Sequence, residues 1–266
     1  PEYETLTGEA LTQDIVRFLR QSTFGPTPEL VADLEARVVA ENGDRITAYS
    51  KWIDDQFLID SPSHRSAYLA TRALYLSSIP EEDLEQAILS LEARYFPFFA
   101  GWFTQSVHSK AQLRERVGFA LSEIFVVSAL SSTVGQKLEG VADYNDMLKQ
   151  NAFGDFETLL TDVSKHPIMG YYLSHLQNKQ NQVNENGVLV ASPDENFARE
   201  VMQLFSIGLV ELHPDFYIKL GENGLPIQSY NQTDITELAR VFTGWSFGVR
   251  TTDAGETPAF VPNTNF

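Results

Sequence analysis

The chain has 266 residues, of which 19 are Lys or Arg and 36 are Asp or Glu, so its formal charge at pH 7 is −17. Cysteine is absent, which excludes disulfide frameworks, thiolate zinc sites, iron–sulfur clusters and thiol nucleophiles. The acidic charge disfavours nucleic-acid binding because phosphate backbones repel it. Hydrophobic residues make up 43% of the chain, which is enough for a packed core.

Apolar residues at helical spacing predict a series of amphipathic helices in the first half of the chain. In the first of them, Ile15, Phe18, Leu19 and Ser22 share one face. A proline at 97 is expected to kink or end the last of them, because an interior proline removes a backbone hydrogen bond. These helices are predicted over 12–21, from Thr27-Pro28-Glu29 to Gly43, over 46–58, over 64–77, and from Pro80 through Tyr95.

The second half continues the helical pattern with two interruptions. The Asn- and Gln-rich segment 178–192, which contains Asn186-Gly187, predicts a turn and a short extended segment. The segment 211–230 predicts a hairpin or long loop inserted between two helices. The helices are predicted from Gln112 to Ser128, over about 144–150, 156–164, 168–176 and 194–207, and from Asn231, where Asp234 completes a capping box, to Gly244.

Together these elements predict an all-α fold, a multi-helix orthogonal bundle with a small extended or hairpin insertion. We expect a single helical domain over 1–250, with the insertion at about 211–230. Residues 251–266 are expected to form a loop that leads to a C-terminal portion missing from this sequence. No apolar run approaches the ~20 residues that span a bilayer, so no transmembrane segment is predicted.

The richest polar cluster lies in Asp194-Glu195-Asn196-Phe197-Ala198-Arg199-Glu200. On a helix, Glu195 and Arg199 stand at i, i+4 in the favourable order, and Asn196 and Glu200 lie on a second polar row. Such carboxylates can bind a hard cation or perform acid–base chemistry. The alternative, favoured because acidic first turns and i, i+4 pairs are common, is a helix start whose charges tie neighbouring helices together.

Further charged residues extend this hypothesis. Arg240 can pair with Glu195 or Glu200, or hold an anionic ligand. Glu115 and its neighbours are assigned to the polar rows of a helix whose other face is apolar, so structural pairing is favoured there. We expect a ligand-binding or structural ion-pair cluster of nine residues, Arg114, Arg116, Asp194, Glu195, Asn196, Arg199, Glu200, Asp234 and Arg240.

The catalytic candidates are Glu195, Glu200 and His166. His166 follows Asp162 by four residues, which can orient an imidazole for general-base work. A histidine that answers a helix dipole is the favoured alternative. The five histidines show no metal-ligand spacing. No cofactor is predicted, and a divalent cation is left open.

Five blocks of sequence are spread over nearly the whole chain: RFLRQSTFGPT at 17–27, LRERVGFALS at 113–122, HPIMGYYL at 166–173, PDENFARE at 193–200 and LARVFTGW at 238–245. In this order they resemble an uncharacterised bacterial family, the domain of unknown function eighteen hundred. The resemblance implies a helical fold and, for many members, export. It also implies a neighbouring gene for an alkaline-phosphatase-like exported protein, from the domain of unknown function fifteen hundred and one. Members continue past the Thr-Gly-Trp block with a His-Asp-containing segment, so part of any site is expected outside this sequence.

We therefore expect an exported helical binding or assembly module, periplasmic or secreted, acting with a protein partner. The resemblance suggests the alkaline-phosphatase-like family as that partner. The alternative is a hydrolase that uses the carboxylate and arginine cluster with or without a divalent cation. A carbohydrate-binding surface of Trp52, Trp102, Trp245 and Tyr230 has less support, because most of these aromatic residues should be core.

Overall fold

A computed structural model describes residues 5–246. Contacts within the chain form two units, Pro1–Ser122 with Ala142–Asp155, and Glu123–Val141 with Phe156–Phe266. The described part contains twelve α-helices and one two-stranded sheet. The predicted all-α fold with a small hairpin is thus confirmed, while the single domain over 1–250 stays a prediction. The loop expected at 251–266 lies outside the described residues.

The first unit contains α1 to α6, most of α7 and the larger part of α8. A 3-10 turn at Glu81–Asp83 precedes α5. The helices are α1 Gly8–Ser22, α2 Pro28–Ala40, α3 Arg45–Leu58, α4 His64–Ser77, α5 Leu84–Leu89, α6 Leu91–His108, α7 Gln112–Ile124 and α8 Leu138–Gln150.

The first three helices pack around one apolar core, and local signals set their ends. The Thr27 side chain accepts a hydrogen bond from the Leu30 amide and so caps α2, as predicted. Gly43 adopts a positive φ of 91° after α2, which lets the chain turn. The core contains Ile15, Leu19, Leu34, Val38, Ala48, Tyr49 and Trp52.

The prediction of one helix from Pro80 through Tyr95 is wrong, because the helix is interrupted at Ser90. Ser90 is extended, and its hydroxyl accepts from the Ala93 amide, so it ends α5 and caps α6. Pro97 lies inside α6 and does not end it. Helix α6 packs so closely on α4 that a Cβ on Gly101 would lie 3.1 Å from the Tyr68 nitrogen, and this burial offsets the cost of the proline.

The second unit has shorter helices and the sheet. Strands β1 and β2 pair antiparallel, which confirms the turn and extended segment predicted at 178–192. The elements are α9 Phe156–Lys165, α10 Pro167–Tyr172, β1 Gln182–Val183, β2 Leu189–Ala191, α11 Asn196–Gln203 and α12 Gln232–Val241.

Several helix ends differ from the prediction. Helix α7 ends at Ile124 instead of Ser128, and α8 begins at Leu138, before Tyr144. Helices α10 and α11 are shorter than expected. Left-handed turns explain these two ends: Ser174 has a φ of 66° after α10, and Gly208, with a φ of 73°, donates its amide to the Met202 carbonyl after α11.

We call residues 207–230 the insertion segment, because they connect α11 to α12 without a regular helix or strand. Three isolated antiparallel bridges hold it, Val210 to Gln228, Leu212 to Ile218 and Leu220 to Pro226. The predicted hairpin or long loop is therefore a long irregular loop with internal backbone hydrogen bonds. Within residues 5–246, no helix is both long enough and apolar enough to cross a membrane.

Candidate functional site

The predicted cluster on α11 connects this helix to α12. The Glu195 carboxylate accepts hydrogen bonds from Arg199 at 3.2 Å, from Gln232 at 2.7 Å and from the Thr236 hydroxyl at 2.8 Å. Since Gln232 and Thr236 belong to α12, the carboxylate joins the two helices. Both of its oxygens are engaged by protein donors, which supports the structural alternative for Glu195.

The exposed members of the cluster make local contacts. The Asp194 carboxylate accepts from the Asn196 amide at 2.8 Å, which satisfies a donor at the start of α11. Asp234 accepts from the Asn231 amide at 2.9 Å, and this confirms the predicted capping box. Arg240 pairs at 2.7 Å with Glu237, its neighbour on α12, and not with Glu195.

Glu200 differs from the other carboxylates of α11. Its Oε2 is buried and has no hydrogen-bond partner among the described residues. A buried polar atom without a partner costs about 1–3 kcal/mol. Glu200 is therefore the one predicted catalytic candidate whose surroundings leave a polar atom available.

His166 acts as a helix cap. Its Nδ1 accepts a hydrogen bond from the Ile168 amide at 3.3 Å at the start of α10, directly before Pro167. The residue is buried. Because this contact uses the ring lone pair that a general base needs, the geometry supports the helix-terminal alternative.

Arg114 and Arg116 lie in the first unit, where they bind carbonyls and aromatic rings. The Arg114 guanidinium donates to the Lys149 carbonyl at 3.1 Å and to the Phe57 carbonyl at 3.3 Å, and it lies 4.5 Å from the centre of the Phe153 ring. Carbonyls at the carboxyl ends of helices attract cations. Arg116 lies 5.6 Å from the ring centre of Phe24. Arg114 therefore joins α7 to the ends of α3 and α8, whereas Arg116 packs against Phe24 in the loop after α1.

A buried charge cluster that the sequence did not reveal lies in the first unit. We define it as His64, Glu115, Asp146 and Lys149. The Glu115 side chain is 1% exposed, and its Oε2 accepts from His64 Nε2 at 2.9 Å. Its Oε1 accepts from the Ser61 hydroxyl at 2.6 Å and lies 3.3 Å from Lys149 Nζ.

Asp146 connects the buried charge cluster to the start of α4. It accepts from the backbone amides of His64 at 2.7 Å and Arg65 at 3.1 Å, and from the Ser63 hydroxyl at 2.6 Å. Lys149 Nζ lies 3.3 Å from Asp146 and donates to the Pro62 carbonyl at 2.7 Å. The cluster thereby fixes α4, α7 and α8 to one another.

Opposing effects act on the pKa of Glu115. Burial is the largest of them and raises the pKa, but the hydrogen bond from His64, the charge of Lys149 and the Ser61 hydroxyl outweigh it. The pKa is therefore lower than that of an ordinary glutamate, and Glu115 is ionised at neutral pH. An ionised buried carboxylate requires these partners, because an unpaired buried charge is strongly destabilising.

His64 has the partner arrangement of a general base, a carboxylate that orients one ring nitrogen. Its Nδ1 is buried and has no hydrogen-bond partner among the residues that the structure describes. The adjoining cavity, lined in part by Trp102, Ser106 and Asn145, has room for about one water molecule. This small size supports a structural role for the cluster, which joins α4, α7 and α8.

Gly118 permits the close approach of α7 and α8 beside the buried charge cluster. A Cβ at this position would lie 2.5 Å from Lys149 Cγ and 3.4 Å from Lys149 Cα. Only glycine leaves room for the lysine stem, which crosses α7 on its way to Glu115.

The assignment of Glu115 to a polar row of α7 is therefore corrected. The buried positions of α7 are Gln112, Glu115 and Gly118, whereas Leu113 and Val117 are only partly buried. The apolar spacing predicted that Leu113 and Val117 face the core and that Glu115 does not. The partners that bury Glu115 lie far away in sequence. No local pattern in the chain indicates a contact with His64 or Lys149.

His175 forms a second buried polar site, in the second unit. Its ring stacks on Phe197 with 3.8 Å between ring centres, and its Nε2 donates to the Ser164 carbonyl at 3.0 Å. Burial lowers the pKa of His175 to about 4, against the raising effects of the Ser164 carbonyl and the Asp194 charge. The ring is therefore neutral at pH 7.

The fourth and fifth sequence blocks meet around His175. Phe197, from the fourth block, packs edge-on against Phe242, from the fifth, at 4.8 Å. The Trp245 carbonyl accepts from the Gln177 amide at 2.7 Å. In the first unit, Phe24 from the first block packs against Phe119 from the second at 5.8 Å. The blocks thus form packed joints within each unit.

The aromatic residues considered for carbohydrate binding do not form an open platform. Trp52 is in the core of α1 to α3. Trp102, Trp245 and Tyr230 are half-buried. In residues 5–246 there is also no group of three or more His, Asp or Glu residues placed to hold a metal ion.

Comparisons with known proteins give a family and no further relative. No curated protein and no solved structure matches the chain. A family model described as Protein of unknown function (DUF1800) matches residues 17–265. Because this match covers most of the chain, the protein belongs to that family.

Proposed function

We propose that the chain is an exported helical module that binds a protein partner through the insertion segment. The observation that carries this proposal is Phe216. It is 81% exposed, and its backbone has a φ of 66°. A bulky residue in the left-handed region is strained by about 1–3 kcal/mol, and such strain occurs preferentially at functional sites.

The surroundings of Phe216 support an interface. Tyr217, Leu220 and Leu225 are also exposed on the insertion segment. The backbone beneath them is ordered by hydrogen bonds, such as Lys219 N to the Glu211 carbonyl at 2.9 Å. A rigid loop that presents aromatic and aliphatic side chains is a typical binding surface, because little entropy is lost on association.

The charges of the insertion segment indicate what kind of partner surface it would bind. The insertion segment carries Glu211, Asp215 and Glu222 against Lys219, and the whole chain is acidic. We therefore expect the partner to offer an apolar groove with a basic rim. The resemblance to the family implies export, which supports this proposal. It also implies a neighbouring gene for an alkaline-phosphatase-like protein, and we choose that protein as the partner to test.

The test is titration calorimetry of the full chain with that purified protein. Phe216→Ala should weaken binding about 30-fold or more, as loss of an anchoring aromatic does. Leu58→Ala, which changes an equally exposed apolar residue on α3, is the control and should bind normally. No heat of binding with the wild-type chain, or equal losses in both variants, would contradict the proposal. Fractionation of the native cells tests export, which a cytosolic location of the full-length protein would refute.

The second candidate is a hydrolase that uses the carboxylate and arginine cluster, with or without a divalent cation. The unpartnered Glu200 Oε2 favours it, because buried polar atoms without partners call for an explanation, such as an ion or a substrate. Glu200→Gln should lower turnover of ester or phosphate substrates about 100-fold, while the exposed Glu237→Gln should not. If turnover is the same in both variants, this candidate fails.

A further inference from the structure

Helix α6 exposes an apolar stripe in the first unit. We define the stripe as Phe96, Phe99, Phe103 and Val107, which follow one another at helical spacing on one face. Each is between 41% and 59% exposed. Three half-exposed phenylalanines in a row are unusual on a protein surface and mark an interaction site.

A second layer of aromatic rings supports the stripe. Phe96 lies 5.7 Å from Tyr75, Phe99 lies 5.3 Å from Phe98, and Phe103 lies 5.2 Å from Trp102. Phe98 itself is buried against α4, at 6.3 Å from Tyr68. The exposed rings are therefore held in place before any partner arrives, which lowers the entropic cost of binding.

Charges at the two ends of α6 have opposite signs. Glu92 lies in the first turn of α6, four residues before Phe96 and therefore on the same face as the stripe. Lys110 lies just beyond the last turn and is exposed. Glu92 and Lys110 are equally far along the chain from Gly101, which marks the middle of the stripe.

From this arrangement we propose that α6 pairs antiparallel with α6 of a second copy of the chain. A two-fold axis midway along the stripe brings Phe99 of each copy against Phe103 of the other, and Phe96 towards Val107. The same axis brings Glu92 towards Lys110 of the other copy. A two-fold interface must be complementary to itself, and the order of residues here meets that requirement, with apolar side chains in the middle and opposite charges at equal distances from it. The antiparallel helix dipoles add a favourable contribution.

The stripe belongs to the first unit and the insertion segment to the second, so different variants test the two proposals. Sedimentation equilibrium of the full chain at about 0.15 M salt, where repulsion between acidic surfaces is screened beyond ~8 Å, should show a dimer. Phe103→Asp should raise the dissociation constant about 30-fold or more. Phe216→Asp, which changes a more exposed phenylalanine outside the stripe, should leave the dimer intact.

Charge reversal gives a second readout that does not depend on the stripe itself. Glu92→Lys or Lys110→Glu alone places like charges opposite each other and should weaken the dimer about 3- to 10-fold. The double reversal restores opposite charges and should recover dimerisation to within about threefold of the wild type. Circular dichroism checks that each variant is folded.

Three results would overturn the proposal. They are a wild-type chain that stays monomeric up to high micromolar concentration, a double reversal no better than the single ones, and a dimer indifferent to Phe103→Asp. A monomer that instead sediments with lipid vesicles would assign the stripe to a membrane surface and would equally refute the dimer.

Discussion

His175 makes the stability of the fold sensitive to mild acid. Its pKa is about 4 in the folded chain and 6.5 in the unfolded chain, so between these pH values the unfolded chain binds the extra proton. Acidification over this range therefore favours unfolding, by about 3 kcal/mol at most for a difference of this size. Above pH 6.5 the histidine is neutral in both states and contributes no pH dependence.

Urea unfolding at pH 7, 6, 5 and 4.5 tests this expectation. In His175→Phe, which keeps a ring to stack on Phe197, the free energy of unfolding should fall less steeply with acid than in the wild type. His213→Phe replaces an exposed histidine and should keep the wild-type slope. Glu115 is present in the wild type and in both variants, so the loss of its contribution as the pH falls towards and below its unfolded pKa of 4.5 is common to all three and cancels in the comparison. Identical slopes in the wild type and His175→Phe would contradict the assignment.

Which polar contacts the sequence reveals depends on their separation along the chain. The capping box of Asn231 and Asp234 spans one helical turn, and it was predicted correctly. The Glu115 to His64 contact joins residues 51 positions apart, and the contact with Lys149 joins residues 34 apart. No periodic pattern contains such information, so the buried charge cluster was missed and Glu115 was assigned only to a polar row of α7.

At the scale of the helices, the spacing between α7 and α8 depends on one hydrogen atom at Gly118. Gly118→Ala would place a methyl group 2.5 Å from Lys149 Cγ. The lysine stem must then move, which weakens its contact with Glu115. We expect the free energy of unfolding to fall by about 1–3 kcal/mol, as overpacking usually causes.

Thermal and urea unfolding measure this effect. Gly154→Ala is the control, since a Cβ there has no contact shorter than 3.6 Å, and it should change stability by less than about 0.5 kcal/mol. Equal stability of the two variants would show that α8 can shift away from α7 without loss.

Helix starts were predictable where a capping residue lies next to the first turn, as for Thr27 before α2 and Asn231 before α12. Helix ends were less so. In the sequence, Ser90 fits the polar face of a continuous amphipathic helix, yet in the structure it separates α5 from α6. Pro97 was expected to kink or end a helix, but the packing of α6 on α4 lets that helix continue to His108.

At the scale of the whole molecule, the sequence predicted the all-α class because the helical period recurs along its length. The division into two units was not visible, since no Gly-, Ser- or Pro-rich linker marks it. The first unit is also discontinuous: Ala142–Asp155 belongs to it, although Glu123–Val141 belongs to the second. Composition and periodicity describe neighbours along the chain and cannot reveal such a return.

This return of the chain sets an order of events during synthesis on the ribosome. The nascent chain is made from its amino end at about 5–20 residues per second, so His64 and Glu115 are synthesised before Asp146 and Lys149. Until α8 follows, the Glu115 carboxylate has no ammonium group to neutralise it and stays in water. The first unit therefore completes its folding only after α8 has been synthesised. By then Glu123–Val141, which belongs to the second unit, has already been translated.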